Sequence, residues 1–311
     1  MSKRKSNKKI VNICLIVGLL VVGVCLQFLF KNPTAFWQNI FNTVSFTYSD
    51  SNFSSLDYDM TVHVLDVGKA DAIYINCGNK NILIDSGDVD VTNTVYEYLR
   101  KMNVEKLDLV MVSHPHRNHI GGMTEIINGF TIEKFMMPCV PEDITPTNNT
   151  YLSMLQALSD KGILIDRPVA GESFEIGDIS INIFGPLKQY NDLNNNSIVA
   201  QFIYGNDSFL FTGDASKDSE KDILSENFDI KSTVLKVAHH GSASSTTKKF
   251  LQAVNPDIAV ISVGPDSNDL PKTSTIEKLD DNGTKVYRTD INGNVIFATN
   301  GDGVSVIIEK E

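Results

Sequence analysis

Three histidines fall within six residues in "SHPHRNHIGG", at His114, His116 and His119. In an extended segment alternate side chains share a face, so His114 and His116 point the same way and can grip one ion. His119 is brought round as the chain turns into Ile120-Gly121-Gly122. Neutral imidazole is a common ligand for zinc and its neighbours. Two further groups of the same chemistry lie far along the chain: Asp214 in "FTGDAS" and the pair His239-His240 in "VAHHGS". Singly, each has an ordinary explanation, because an Asp after Gly is a common turn residue and a His pair is commonly structural or exposed. Jointly, carboxylate and imidazole form the ligand set of a hydrolytic metal site, with an open position for water. Asp85, in "LIDSG", is placed to orient a histidine by a hydrogen bond from behind.

All of these groups stand at the ends of apolar, β-branched runs, which is how residues distant in sequence come to one rim. "LDLVMV" reads as a buried strand that stops at His114, "SFLFTGD" as one that stops at Asp214, and "STVLKVA" as one that stops at His239. Before them, "MTVHVLDVG", "AIYINCG" and "KNILIDSG" predict a strand meander, and Val95, Leu99 and Met102 predict a helix over Thr92 to Met102. A short helix in "MTEIINGF" and a strand in "TIEKFMMP" come next. The helix after them, "TYLSMLQALSDKGI", carries Leu152, Leu155 and Leu158 on its apolar face and a Gly at its end. Hairpins are expected around Gly177-Asp178, around Gly205-Asn206-Asp207, and over the last segment, "KVYRTDINGNVIFATNGDGVSVII". Many short strands with helices between them predict a two-sheet α+β sandwich with helices outside.

The N-terminus has a different character. Residues 1–9 carry Lys3, Arg4, Lys5, Lys8 and Lys9 with no acid, and residues 10–30 are nearly all apolar, long enough to span a bilayer. The positive-inside bias predicts a cytoplasmic tail (1–9), a transmembrane anchor or, as the alternative, a signal peptide (10–30), a linker (31–59) and an external domain (60–311). That arrangement makes a single-pass protein of the cell membrane, or a secreted one if the segment is cleaved. The formal net charge is −11, and setting aside the five positive charges of the tail leaves about −16 outside. Such an acidic surface disfavours nucleic acid as a partner, because polyanion affinity rests on Lys and Arg at phosphates. Four cysteines make no disulfide framework; Cys77 and Cys139 pair only if the fold brings them together.

"SHPHRNHIGG" resembles the HxHxDH motif of the metallo-β-lactamase superfamily. With "DVGKADA", "LIDSG", "NNNSIVAQF", "FTGDAS" and "LKVAHHGS", it resembles the extracellular metallo-β-lactamase domain of ComEC-type competence proteins, from about His63 to Val295. The resemblance implies an αββα sandwich with one or two metal ions at the sheet rim, zinc or in its place manganese. Carried over by position, His114 and His116 hold the first ion, His119 and one of His239 or His240 the second, and Asp214 bridges them. It also implies a hydrolase of phosphodiester bonds, on DNA or a cell-wall-linked substrate, with Asp214, His119 and the residue at 118 at the chemistry.

The departures are specific. The family's Asp between the second and third histidines is Asn118 here, with Arg117 beside it. An amide oxygen is a weak zinc ligand, so a second ion loses its carboxylate. A His-Pro-His segment common in the family is replaced by "NDLPKTSTIEKL", and a Gly of the family's "DVGQGDA" by Ala70. Two readings follow. In one, the domain is a metal-dependent phosphodiester hydrolase, with Lys272 or Arg117 offsetting developing charge. In the other, it is a degenerate relative serving as a binding or scaffolding module at the cell surface. A single candidate span builds no DNA channel, so a part in transport needs a partner that the sequence does not identify.

Overall fold

Two β-sheets lie face to face in the computed structural model, which describes residues 58–310 except 266 and 268. The eight-stranded first sheet runs, in spatial order, Val304–Ile308, Val295–Thr299, Met60–Val64, Ile73–Cys77, Lys80–Ile84, Leu109–Met111, Phe135–Met136, Ile165–Asp166. The seven-stranded second sheet runs Lys285–Arg288, Ile258–Ile261, Val234–Lys236, Asp207–Phe211, Val199–Tyr204, Ile179–Gly185, Ser173–Ile176.

The period of two along each strand decides what lies between the sheets. Met60, Val62 and Val64 face inward with Ile73, Ile75, Ile82, Ile84, Leu109 and Met111, and meet Ile179, Ile181, Ile183, Phe202, Phe209 and Phe211 of the second sheet. The intervening residues face out and are covered by helices. Tyr74, Leu83 and Val110 pack with Val95 and Leu99 of helix Thr92–Lys101, Ile126 and Ile127 of Met123–Gly129, and Met154 and Leu158 of Asn149–Lys161. Val199, Leu210 and Leu235 pack with Ile223, with Phe250 and Leu251, and with Leu279 of the three helices on the other side. This is the expected helix-sheet-sheet-helix layering.

Several expectations are corrected. "TIEKFMMP" is two short strands, Thr131–Ile132 in a separate two-stranded ladder and Phe135–Met136 in the first sheet. In helix Asn149–Lys161, Leu152 is half exposed, and the buried face is Tyr151, Met154, Ala157 and Leu158. The last segment is not one hairpin: Lys285–Arg288 runs parallel beside Ile258–Ile261 in the second sheet. The helical turn Thr289–Asn292 then carries the chain across, and the hairpin Val295–Thr299/Val304–Ile308 closes the first sheet. Cys77 and Cys139 are free thiols, one buried and one exposed. The expected tail, anchor and nearly all of the linker lie outside the described residues; among those described, no helix is long and apolar enough to cross a membrane.

Candidate metal centre

Parallel pairing aligns the strand ends that matter. Lys80–Ile84 and Leu109–Met111 run side by side in the same direction, as do Asp207–Phe211 and Val234–Lys236. Beyond Ile84 comes Asp85, beyond Met111 come Ser113 and His114, and the second sheet delivers Asp214 and His239-His240 to the same rim. A helical turn, Arg117–Ile120, brings His119 round, with the Gly pair following it. That turn is stapled on both sides. The Asp71 N–H donates to the Asn118 carbonyl (3.2 Å), Ser86 N–H to the His119 carbonyl (2.8 Å), and Gly121 N–H to the Gly87 carbonyl (2.8 Å). His239 and His240 both adopt left-handed backbone, with φ of 52° and 53°, conformations that cost energy in a non-glycine residue and collect at functional sites.

Asp214 sits at the centre. Its Oδ1 lies 3.5 Å from His119 Nε2 and 3.7 Å from His240 Nε2, and its Oδ2 lies 3.8 Å from both His114 Nε2 and His239 Nε2. One carboxylate thus faces two imidazoles on each side, with His240 rather than His239 sharing an oxygen with His119. His116 Nδ1 is 2.8 Å from His114 Nε2. Asp85 lies behind: Oδ1 accepts from Ser113 N–H (2.7 Å), and Oδ2 from the Ser113 hydroxyl (2.6 Å) and His119 Nδ1 (2.8 Å). Asn118 reaches His240 Nε2 at 2.9 Å, and His240 Nδ1 donates to the Ser262 carbonyl at 3.0 Å.

The sequence-based list therefore converges: His114, His116, Asn118, His119, Asp214, His239 and His240 meet at one rim with Asp85 beneath. Two residues join them that the sequence did not single out. Asp71 holds Lys236 Nζ at 3.0 Å and stands 3.8 Å from His240 Nδ1. Asp71 belongs to the motif "DVGKADA", in which Ala70 alone draws notice, and Lys236 is one position of a strand. No pattern marked Lys236, because an isolated Lys in a strand ordinarily faces water.

Burial and neighbouring charge set the ionisation of this cluster. Burial holds the His114 and His116 imidazoles below the usual range and presses His240 down to about 4, so all three are neutral and have a lone pair to offer. For His119 burial works the same way, but Asp214 and Asp85 outweigh it and raise the imidazole well above its ordinary value. Burial penalises the Asp214 anion, and His119 and His240 overcome that penalty and hold it well below the carboxylate range. His119 Nε2 and Asp214 Oδ1 are buried and make no hydrogen bond. Buried polar atoms are rarely left so, and a divalent cation satisfies both. The ligand atoms of His114, His119 and Asp214 lie within 4.8 Å of one another, so the residues present suit such an ion.

Over the cluster opens a cleft of about 540 Å³ lined by His116, Asn118, Asn194, Asp214, His239 and His240, with Lys69, Arg117, Asp88 and Asp90 among its other walls. Arg117 is engaged with Asp88 at 2.8 Å and approaches Asp90 at 3.8 Å. Lys272, expected as a charge-offsetting residue, is not among the described residues lining the cleft; its backbone N–H donates to the Gly241 carbonyl (3.0 Å) at the start of helix Thr273–Asp281.

Residues 65–264 match the Metallo-beta-lactamase superfamily. ComE operon protein 3 of Bacillus subtilis is 25% identical over 269 residues, covering 79% of this chain and 34% of that protein. Recombination protein 2 of Haemophilus influenzae is 30% identical over 241 residues, covering 75% of this chain and 28% of that one. The chain thus spans about a third of the length of these relatives. Among solved structures, the metallo-beta-lactamase fold protein YhfI from Bacillus subtilis superposes with a TM-score of 0.53 at 14% identity, over 76% of this chain and 98% of YhfI. At that identity the likeness concerns the fold.

Proposed function

The chain belongs to the metallo-β-lactamase superfamily, and on that premise we propose that it is a metal-dependent phosphodiester hydrolase acting outside the cytoplasmic membrane, tethered by segment 10–30. The observation that carries the reading is Asp214, whose two oxygens face four imidazoles at the floor of an open cleft. The proposed ion is zinc, with manganese as its substitute; a divalent ion held there supplies Lewis-acid polarisation and lowers the pKa of water. The chain's own residues do the rest. Asp85 fixes the His119 ring with Nε2 toward Asp214, and Ser113 braces Asp85. The Ser262 carbonyl holds the proton of His240 on Nδ1. Lys69, in the cleft wall, provides positive charge for a phosphodiester, while the Arg117 charge is held by Asp88.

A relative named for recombination supports a phosphodiester substrate. The charge of about −16 outside the tail supports a small or wall-linked one over long DNA. The test is hydrolysis of bis(p-nitrophenyl) phosphate by the full-length chain supplied with zinc or manganese. Turnover that EDTA abolishes and Asp214→Asn lowers at least about 100-fold is the expected result. No turnover with either metal, or equal turnover in Asp214→Asn, refutes the hydrolase and leaves the binding module as the better account.

A further inference from the structure

We propose that this centre holds one divalent ion, at His114, His119 and Asp214, because Asn118 occupies the His240 nitrogen on which a second ion would depend. The inference rests on the metal-dependent reading above and specifies its stoichiometry. Among the described residues, three triplets of His and Asp bring their ligand atoms close enough for an ion: His114–His119–Asp214, Asp71–Asp214–His240 and Asp71–Asp85–His119. Their hydrogen bonds separate them.

In the third triplet, both Asp85 oxygens and His119 Nδ1 are taken up with one another and with Ser113; Asp71 Oδ2 is taken by Lys236, while its buried Oδ1 makes no hydrogen bond. In the second, His240 is closed at both ends. The Ser262 carbonyl only accepts, so the His240 proton is on Nδ1 and the lone pair on Nε2. Whatever meets Nε2 must donate, which assigns the Asn118 group 2.9 Å away as the amide NH₂. The other contact of that NH₂, the Lys69 carbonyl at 3.4 Å, is also an acceptor and agrees. An Asp at 118 has no such proton. It would leave the His240 lone pair free and add a carboxylate beside it, which is what a second ion needs. Lys236 keeps Asp71 out of such a set. Only 1% of its side chain is exposed, and its ammonium lies 3.0 Å from Asp71 Oδ2 and donates to the Val237 carbonyl at 3.0 Å, a fixed positive charge that a neighbouring cation would have to oppose.

The first triplet is different. Its His119 Nε2 is buried and makes no hydrogen bond, unlike His240 Nε2. The closest neighbour of His114 Nε2 is another ligand-type atom, His116 Nδ1 at 2.8 Å. Two nitrogens on one tetrahedral zinc, each at roughly 2.0–2.1 Å, stand about 3.3 Å apart, so a small outward shift admits the ion and adds His116 to the set. Asn118 is then a positioning residue that holds His240 out of the ligand sphere.

The test is metal per chain, by elemental mass spectrometry after equilibration with excess zinc and desalting, on the full-length protein and its Asn118→Asp and His240→Gln variants, with isothermal titration giving the affinities. The expected result is one zinc in the parent, one in His240→Gln with a Kd within about threefold of the parent, and two in Asn118→Asp. Should Asn118→Asp fail to fold, His240→Gln decides. Two zinc ions in the parent, loss of zinc in His240→Gln, or a single zinc in folded Asn118→Asp overturns the proposal, and the first of these leaves the hydrolase reading standing. No zinc in either the parent or Asn118→Asp, and no manganese after the same equilibration, removes both.

Discussion

Replacing Asp85 by Asn tests whether the carboxylate behind the centre tunes it or merely fills space. Asp85 has a φ of 58°, and Asn tolerates that left-handed backbone as well as Asp does, so the variant keeps its main chain and its shape. What changes is one acceptor oxygen, which becomes a donor. If the amide oxygen keeps the Ser113 N–H at 2.7 Å, the NH₂ falls opposite His119 Nδ1 at 2.8 Å. The Ser113 hydroxyl can rotate to accept, but the imidazole must then hold its proton on Nε2, the atom that faces Asp214 at 3.5 Å. Ligation by Nε2 would force that proton back to Nδ1, against the amide donor. A charge-assisted hydrogen bond is lost, about 1.5–3 kcal/mol, which agrees with the 10–100-fold in affinity typical when a carboxylate behind a metal-binding histidine is removed, roughly 1.4–2.7 kcal/mol. The assay is the zinc Kd by chelator competition, with the metal-free Tm measured alongside. A Kd within twofold of the parent in a normally folded variant would refute the orienting role of Asp85.

Lys236→Met leaves the buried Asp71 carboxylate without its cation and is expected to cost about 3–5 kcal/mol in urea unfolding, most of it recovered when Asp71→Asn is added; a loss under 1 kcal/mol, or no recovery, speaks against the pairing. Gly121→Ala places a Cβ 2.2 Å from the backbone of Asp88 and Val89, so a loss of at least about 2 kcal/mol is expected, and an unchanged Tm would show that the loop yields freely. His63 lies between the hydroxyls of Tyr98 (2.7 Å) and Thr61 (2.8 Å), and burial presses its imidazole down to about 3. The unfolded chain, with an ordinary value near 6.5, binds the proton first as pH falls. The contribution of His63 to stability is therefore complete above about pH 6.5 and is lost from there down to about 3, at up to about 1.4 kcal/mol per pH unit. His63→Gln is expected to flatten the slope of unfolding free energy between pH 6.5 and 5, measured by urea titration at several pH values, and an unaltered slope removes His63 as its source.

The strand ends were legible because alternation and β-branching announce a strand whose termination is abrupt, and a His or Asp at that point stands out against its apolar run. The layering followed from the number of such strands. What escaped depended on neighbours. Lys236 shares the inward face with Val234, but nothing in "STVLKVA" reveals that Asp71, far away in sequence, waits to receive its ammonium. Leu152 fits a helical stripe as well as Met154 does, and only the packing of Asn149–Lys161 on the first sheet decides between them. The final segment read as one hairpin because its turn residues are local signals, whereas the crossing from second sheet to first at Thr289–Asn292 is a property of the whole sandwich. Asn118 was visible as a departure from a motif; its hand on His240 was not.

Each sheet supplies half of the centre, and this sets an order of events during synthesis. Asn118 and His240 are 122 residues apart, which at about 5–20 residues per second separates their appearance by on the order of ten seconds. Until Asp214 is made, the His114–His116 pair is a bare two-nitrogen chelate without the carboxylate of the second sheet to exclude unsuitable ions. A chelate of this kind takes copper or nickel in preference to manganese. Recombinant protein refolded from denaturant in a chosen metal buffer is the way to ask which ion the finished centre retains.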